Sequence, residues 1–177
     1  WAEYFSAPGQ AKPVVRKVLR ALDIDFRGNE RFPDVLRPYW ANEELFPADA
    51  SGQFLARFTG KLRIPLDGQY RLYVRTEGDH RATVRLTPPG GEPTAIISPK
   101  NDKMLRYADQ RGWDGSTLFR IDFSAPLDLK QGLADLQIEY KGAQVRSRIG
   151  TAGLRLYWSS DAHVMELVPA RALCHEE

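Results

Sequence analysis

A chain of 177 residues, 42% of them hydrophobic, can bury one good core, and a single domain over 1–177 is expected. Its 25 basic and 23 acidic side chains leave a formal charge of +2, too even a balance to favour nucleic acid or an anionic membrane as a partner. No apolar stretch approaches the ~20 residues needed to span a bilayer, so membrane insertion is not expected either.

The chain opens at Trp1 with no initiator methionine and no signal-like segment, which predicts a piece of a longer protein. Residues 1–53 carry two readings. Val14, Val15, Val18, Leu19 and Leu22 follow helical spacing behind Pro13, with Arg16, Lys17 and Arg20 outward, yet the same stretch also reads as extended. The proline-punctuated "FPDVLRPYWANEELF" is expected to be irregular, so 1–53 is assigned as a segment wrapping the core.

From Phe54 onward the pattern has period two, interrupted by turn residues, as in an antiparallel sandwich or barrel. "FLARFTGKLRIP" and "QYRLYVRT" flank Asp67-Gly68, the strongest local hairpin signal in the chain. Tyr70, Leu72 and Val74 share one face there, and Arg71, Tyr73 and Arg75 the other. A second hairpin is read with Gly78, Asp79 and His80 at its tip; it leads into "ATVRLT", which stops at the turn-forming "PPGGEP". Residues 99–116 are the longest polar stretch without alternation, and loops of this length in compact domains tend to be functional or disordered. Alternation resumes in "LFRIDF", in "LADLQIEY" with Leu136, Ile138 and Tyr140 on one face, and in "GLRLYW" with Leu154, Leu156 and Trp158; "HVMELVPARAL" supplies a closing strand. About eight strands, with a core over about 54–170, predict an all-β fold: an antiparallel β-sandwich with an irregular N-terminal wrap and one long polar loop.

Several chemistries are excluded or lack a partner. The single cysteine, Cys174, rules out an internal disulfide framework and a cysteine zinc cluster, and "LCHEE" has Arg171 where haem attachment needs a second cysteine. His80, His163 and His175 lack the spacing of a zinc-protease helix, and no nucleophile elbow, Walker loop or dinucleotide fingerprint occurs. Asp102, Asp109 and Asp114 do not have the spacing of an EF-hand. Asp23 and Asp25, two apart, would face one side of a strand, but no second pair opposes them as glycoside hydrolysis requires. A non-enzymatic domain is expected.

Five fragments, "AEYF", "DIDF", "ARFTGKLRIPLDGQYRLYVRTEGDH", "QIEY" and "GLRLYW…ELVPARAL", occur in an order that resembles the N-terminal domain of anthrax protective antigen and its relatives. The framework positions are Phe58 and Gly60, Gly68 and Tyr70, Asp79, Ile138 and Tyr140, and Leu156 and Trp158. This resemblance implies an antiparallel β-sandwich from a secreted or surface-attached bacterial protein. Relatives occur in adhesins, glycosidases, toxins and large multidomain proteins carrying cytochrome-type modules, and many bind sugars, some through calcium. In the calcium-using lectins two successive Asp residues occupy the turn that here reads Gly78-Asp79-His80, and an Asn and an aromatic follow the I-x-Y strand.

Calcium wants six to eight oxygens, and a carboxylate pair plus loop carbonyls can hold it while leaving room for vicinal sugar hydroxyls. Here Asp79 aligns with the first Asp and is the one candidate metal ligand, but His80 stands at the second, and imidazole suits zinc or copper better. Gly142 falls where the Asn would be and Arg146 near the aromatic position. A calcium-free site is the alternative, with Glu77, His80, Arg146 and Arg148 offering hydrogen bonds to hydroxyls or to an acidic sugar. The plain reading also stands: Asp79 caps the turn through an Asx hydrogen bond and His80 is merely exposed. Lys141, Arg146 and Arg148 form the only local basic cluster, either a solvated loop or an anion contact. Tyr107 and Trp113, in the long polar stretch, either stack on a pyranose ring or anchor the loop. The resulting expectation is a non-catalytic module that binds a glycan or polysaccharide and adjoins other domains of an extracytoplasmic protein. It needs no cofactor unless calcium binds. The second reading is a structural or protein-interaction module that orders its neighbours.

Overall fold

The computed structural model describes residues 1–5, 9–19, 21–25, 53–77, 80–99, 105–107, 117–143 and 153–175. Among these residues fourteen strands follow in chain order: β1 (Ala2–Phe5), β2 (Val15–Lys17), β3 (Asp23–Asp25), β4 (Gln53–Ile64), β5 (Gly68–Glu77), β6 (Arg81–Thr87), β7 (Thr94–Ile97), β8 (Leu105–Tyr107), β9 (Thr117–Phe123), β10 (Leu127–Leu129), β11 (Gly132–Ala143), β12 (Gly153–Ser160), β13 (His163–Leu167) and β14 (Leu173–Cys174). One 3-10 turn, Ala170–Ala172, is the only helical element among the described residues, and no helix there is long and apolar enough to cross a membrane. The first sheet runs β2-β1-β4-β11-β6-β7 with β14 beside β4; the second runs β13-β12-β5-β9-β8 with β10 beside β5 and β3 beside β12.

The core lies between the sheets because alternation puts every second side chain there. On β11, Ala134, Leu136, Ile138 and Tyr140 are buried, while Asp135 and Glu139 face out and pair with Lys61 and Arg85 on the neighbouring strands at 2.6 and 3.1 Å. From the second sheet, Tyr70, Leu72 and Val74 on β5 and Leu154, Leu156 and Trp158 on β12 meet them. Tyr140 and Trp158 are core residues, as the alternation predicts. The β6–β7 hairpin closes through Gly91 N–H donating to Pro88 O at 3.0 Å, and Gly90 takes φ +70°, which a turn with Pro89 before it requires of that position.

Both predicted hairpins in the centre of the chain are corrected. β4 belongs to the first sheet and β5 to the second, so Asp67-Gly68 is an arch across the sandwich. β5 and β6 are likewise in different sheets, and the Gly78-Asp79-His80 link crosses from one to the other. The first arch is tied to its neighbour between β10 and β11: Asp67 Oδ1 accepts from Gln131 N–H at 2.7 Å and Oδ2 from Lys130 Nζ at 3.0 Å. The Gln131 backbone bond, and after it Lys130, hold the Asp67 carboxyl below the usual carboxylate range. A lowered folded-state pKa means that the contribution is present above the unfolded value and disappears as pH falls through the folded one. Asp67→Ala is therefore expected to melt slightly below the parent at neutral pH, with the gap closing in acid; thermal melts along a pH series check it.

The N-terminal helical reading is also corrected. β1 is a core strand between β2 and β4, with Ala2 and Tyr4 buried, and Val14 N–H donates to Tyr4 O at 2.7 Å. Val14 and Val18 each stay 43% exposed, whereas a packed helix would have buried them. The segment taken as a wrap thus begins inside the sandwich, and Ala172 extends the core beyond 170 at the other end. "FPDVLRPYWANEELF" lies outside the described residues. Within the long polar stretch, β8 pairs with β9, so Tyr107 belongs to a strand and not to a loop.

Candidate functional site at one end of the sandwich

Register gathers several chain segments at one end. Ala143 pairs with Gln53 and Lys141 with Arg81 in the first sheet. In the second sheet Leu154 pairs with Thr76, Phe119 with Glu77, and Thr117 with Tyr107. The ends of β5, β8 and β11 therefore adjoin the starts of β4, β6, β9 and β12. Glu77, His80, Tyr107 and Lys141, far apart in sequence, are brought to this end by pairing alone.

His80 is the best-defined member, and its surroundings correct the exposed imidazole of the plain reading. It is 1% exposed. β5 and β6 lie in different sheets, and His80, the residue just before β6, is turned inward. Its Nδ1 shares a hydrogen bond with the Tyr140 hydroxyl, the two rings meeting edge to face at 5.2 Å. Its carbonyl accepts from Thr76 Oγ1 at 3.1 Å. Tyr140 is fully buried, and a buried phenol needs a partner; His80 supplies one. The imidazole is therefore occupied inside the domain and does not face a ligand in solvent.

Gly142 explains why the ring fits. A Cβ there would lie 2.4 Å from His80 Cδ2 and 2.7 Å from Nε2, closer than non-bonded atoms approach. The two departures from the calcium-lectin pattern, His80 for a carboxylate and Gly142 for an amide, are thus one structural event: the imidazole occupies the space that a side chain at 142 would need.

Other predicted residues divide by position. Glu77 closes β5 and Tyr107 closes β8, both at this end. Lys141 is exposed with Nζ 3.7 Å from Glu139 Oε2. Asp79, Arg146, Arg148 and Trp113 lie outside the described residues. Among the described residues no three His, Cys, Asp or Glu cluster as a metal site would require. Sequence reasoning missed a buried polar layer under this end: Thr76, Arg120 and Asp122, at most 5% exposed, stand with His80. Thr76 and Arg120 are directly paired across β5 and β9. No local signal gave it away: in "LFRIDF" the all-apolar set Phe119, Ile121 and Phe123 is the one alternation would turn inward.

The two-sheet sandwich has counterparts among solved structures. It superposes on an anti-sigma factor domain-containing protein from Clostridium clariflavum with a TM-score of 0.62 at 18% identity, covering 99% of this chain and 46% of that one. The PA14 domain of MpAFP antifreeze protein matches with a TM-score of 0.50 at 14% identity, over 98% of this chain and 88% of that one. A PA14 sugar-binding domain from an RTX adhesin follows at 0.47 and 17% identity, over 99% and 97%. This chain matches no known family and no curated protein by sequence. It spans about half (46%) of the anti-sigma factor domain-containing structure. At these identities the likeness concerns fold: an antiparallel two-sheet β-sandwich. The PA14 domain of the antifreeze protein shares that two-sheet fold.

Proposed function

We propose that this domain is a non-catalytic carbohydrate- or polymer-binding accessory module of a larger extracytoplasmic bacterial protein, acting without a cofactor. The observation that carries the reading is the pairing of Arg81 with Lys141. It sets the start of β6, two residues after Asp79 in the chain, beside the end of β11, three residues before Arg146. The PA14-type fold and the ordered motifs of the sequence support a sugar as the ligand class. Glu77, Asp79, Arg146 and Arg148 supply acceptors and donors for hydroxyls, while His80 acts from beneath by holding the link to Tyr140.

A shallow site at the end of a sandwich buries little area and depends on hydrogen bonds, so affinity is expected in the high micromolar to millimolar range, about −4 to −6 kcal/mol. Titrating the labelled domain with a panel of neutral and acidic monosaccharides, followed by NMR, tests this. Amide shifts are expected around Glu77, Arg81 and Lys141 and should vanish in Asp79→Ala and in Arg146→Ala. Absence of shifts across the panel would instead favour a structural module that orders neighbouring domains, and shifts confined to 99–116 would move the site.

Calcium gives a separate result. With His80 turned inward, millimolar calcium is expected to leave the melting temperature unchanged, because only binding to the native state stabilises it. A calorimetric rise of several degrees, reversed by EDTA, would establish Asp79 as a ligand.

A further inference from the structure

The strand β9 runs with its polarity reversed. Arg120 and Asp122 face the core at 5% exposure each, while Phe123 on the outer face is 59% exposed. Stability alone favours the opposite arrangement, since apolar side chains gain by burial and charged ones lose. Phe123 is also part of a pattern. Register places Tyr157 on β12, Tyr73 on β5 and Phe123 on β9 directly opposite one another, one aromatic on each of three successive strands. The Tyr73 and Phe123 rings lie 6.1 Å apart at 43°, and the Tyr73 hydroxyl is 3.3 Å from Ser159 Oγ.

Cations border this row. The Arg71 guanidinium carbon sits 5.7 Å from the centre of the Phe123 ring. One pair further along, Arg75 and Arg155 are register partners, and Asp23 on β3 pairs with Arg155. Register thus lines up one aromatic on each of three strands, with Arg71 over the Phe123 ring and the Arg75–Arg155 pair beyond Tyr73 and Tyr157.

We propose that this face is a second binding surface, separate from the end of the sandwich, and that it takes the chain of an acidic polysaccharide of the polyuronate class. Neighbouring strands lie ~4.8 Å apart, close to the length of one pyranose residue, so successive sugars would meet successive rings. The C–H faces of sugars pack on aromatic faces. Uronate carboxylates would accept charge-assisted hydrogen bonds from Arg71, which selects an anionic chain over a neutral one. Small ligands seek concave pockets, but a flat face suits an extended polymer.

Affinity electrophoresis of the domain through gels containing polygalacturonate, with the fully methyl-esterified polymer as neutral control, tests this. Retardation is expected in the first gel and not in the second. Phe123→Ala and Arg71→Gln, checked for unchanged melting, are each expected to weaken it by about tenfold. Asp79→Ala should leave intact the part of the retardation that depends on Phe123 and Arg71. No retardation in polygalacturonate, equal retardation in the ester, or retardation unchanged in both face variants would overturn the proposal. So would a concentration-dependent dimer in sedimentation that Phe123→Ala dissolves, since the face would then belong to a second copy. The two sites fail separately: monosaccharide shifts lost in Asp79→Ala report the end of the sandwich, and polymer retardation lost in Phe123→Ala reports the sheet face.

Discussion

Replacing Trp158 with alanine is expected to destabilise the domain by about 3–5 kcal/mol, the largest single-residue effect anticipated here. Trp158 is 4% exposed and packs between the sheets with its ring 6.0 Å from that of Tyr70. Its Nε1–H donates to Glu166 Oε1 at 3.0 Å on the neighbouring strand β13. The loss therefore has two parts: the indole's burial with the cavity left behind, and one hydrogen bond. The second part is small, because Glu166 is exposed and regains water when the indole is removed. Trp158→Phe separates them, keeping most of the burial and losing the bond, and should cost less than half as much. Chemical denaturation of both variants gives the comparison. An unchanged midpoint for Trp158→Ala would mean that β12 does not turn this face inward.

Gly142→Ala is the second substitution with a large expected effect, about 1–3 kcal/mol, although it adds only a methyl group to a strand. That methyl would overlap the His80 ring, whose nearest atom is 2.4 Å from the Cβ position. A flexible surface side chain would swing away, but His80 is buried and bonded to Tyr140, so the clash displaces that bond as well. Leaving the buried phenol without its partner adds a desolvation cost, which places the effect at the upper end of that range. A double-mutant cycle isolates the cause. His80→Ala removes the ring, and in that background Gly142→Ala should cost nearly nothing. A coupling of at least ~1 kcal/mol is therefore expected between the two sites. Additive effects would show that Gly142 is needed for some reason other than room for the imidazole.

The contact also bears on the proposed site. His80, next to Asp79 in the chain, is bonded to Tyr140 on β11, whose end leads to Arg146 and Arg148. Gly142→Ala should accordingly weaken any sugar response at this end in proportion to the lost anchoring, while leaving the polymer-binding face of the second sheet unaffected.

Much of the fold was legible in the sequence, for a local reason. Alternation along "LADLQIEY" and "GLRLYW" shows which side chains share a face, since successive residues of a strand point to opposite sides whatever the strand pairs with. Tyr140 and Trp158 could be assigned to the core on that ground alone. The sheet to which a strand belongs was not legible. In a hairpin the two arms hydrogen-bond each other; in an arch they face each other across the core, and both arrangements bury every second residue. "KLRIPLDGQYRLYV" satisfies either, so Asp67-Gly68 read as a hairpin although β4 and β5 lie in opposite sheets.

The same ambiguity governed the candidate site. Whether His80 is an exposed turn residue or a buried partner of Tyr140 depends on the link crossing the end of the core, and no local pattern records a crossing. The residue that makes room for it, Gly142, is 62 positions away in the chain (142 minus 80). Strand β9 extends the point: in "LFRIDF" alternation would turn Phe119, Ile121 and Phe123 inward, yet the structure buries Arg120 and Asp122 while turning Phe123 outward. Sequence by itself determined the strands and the alternation within them, because those follow from backbone geometry and residue type. Tertiary structure alone decided which strands pair, which face of β9 is inside and what His80 touches, because each is set by contacts between segments distant along the chain.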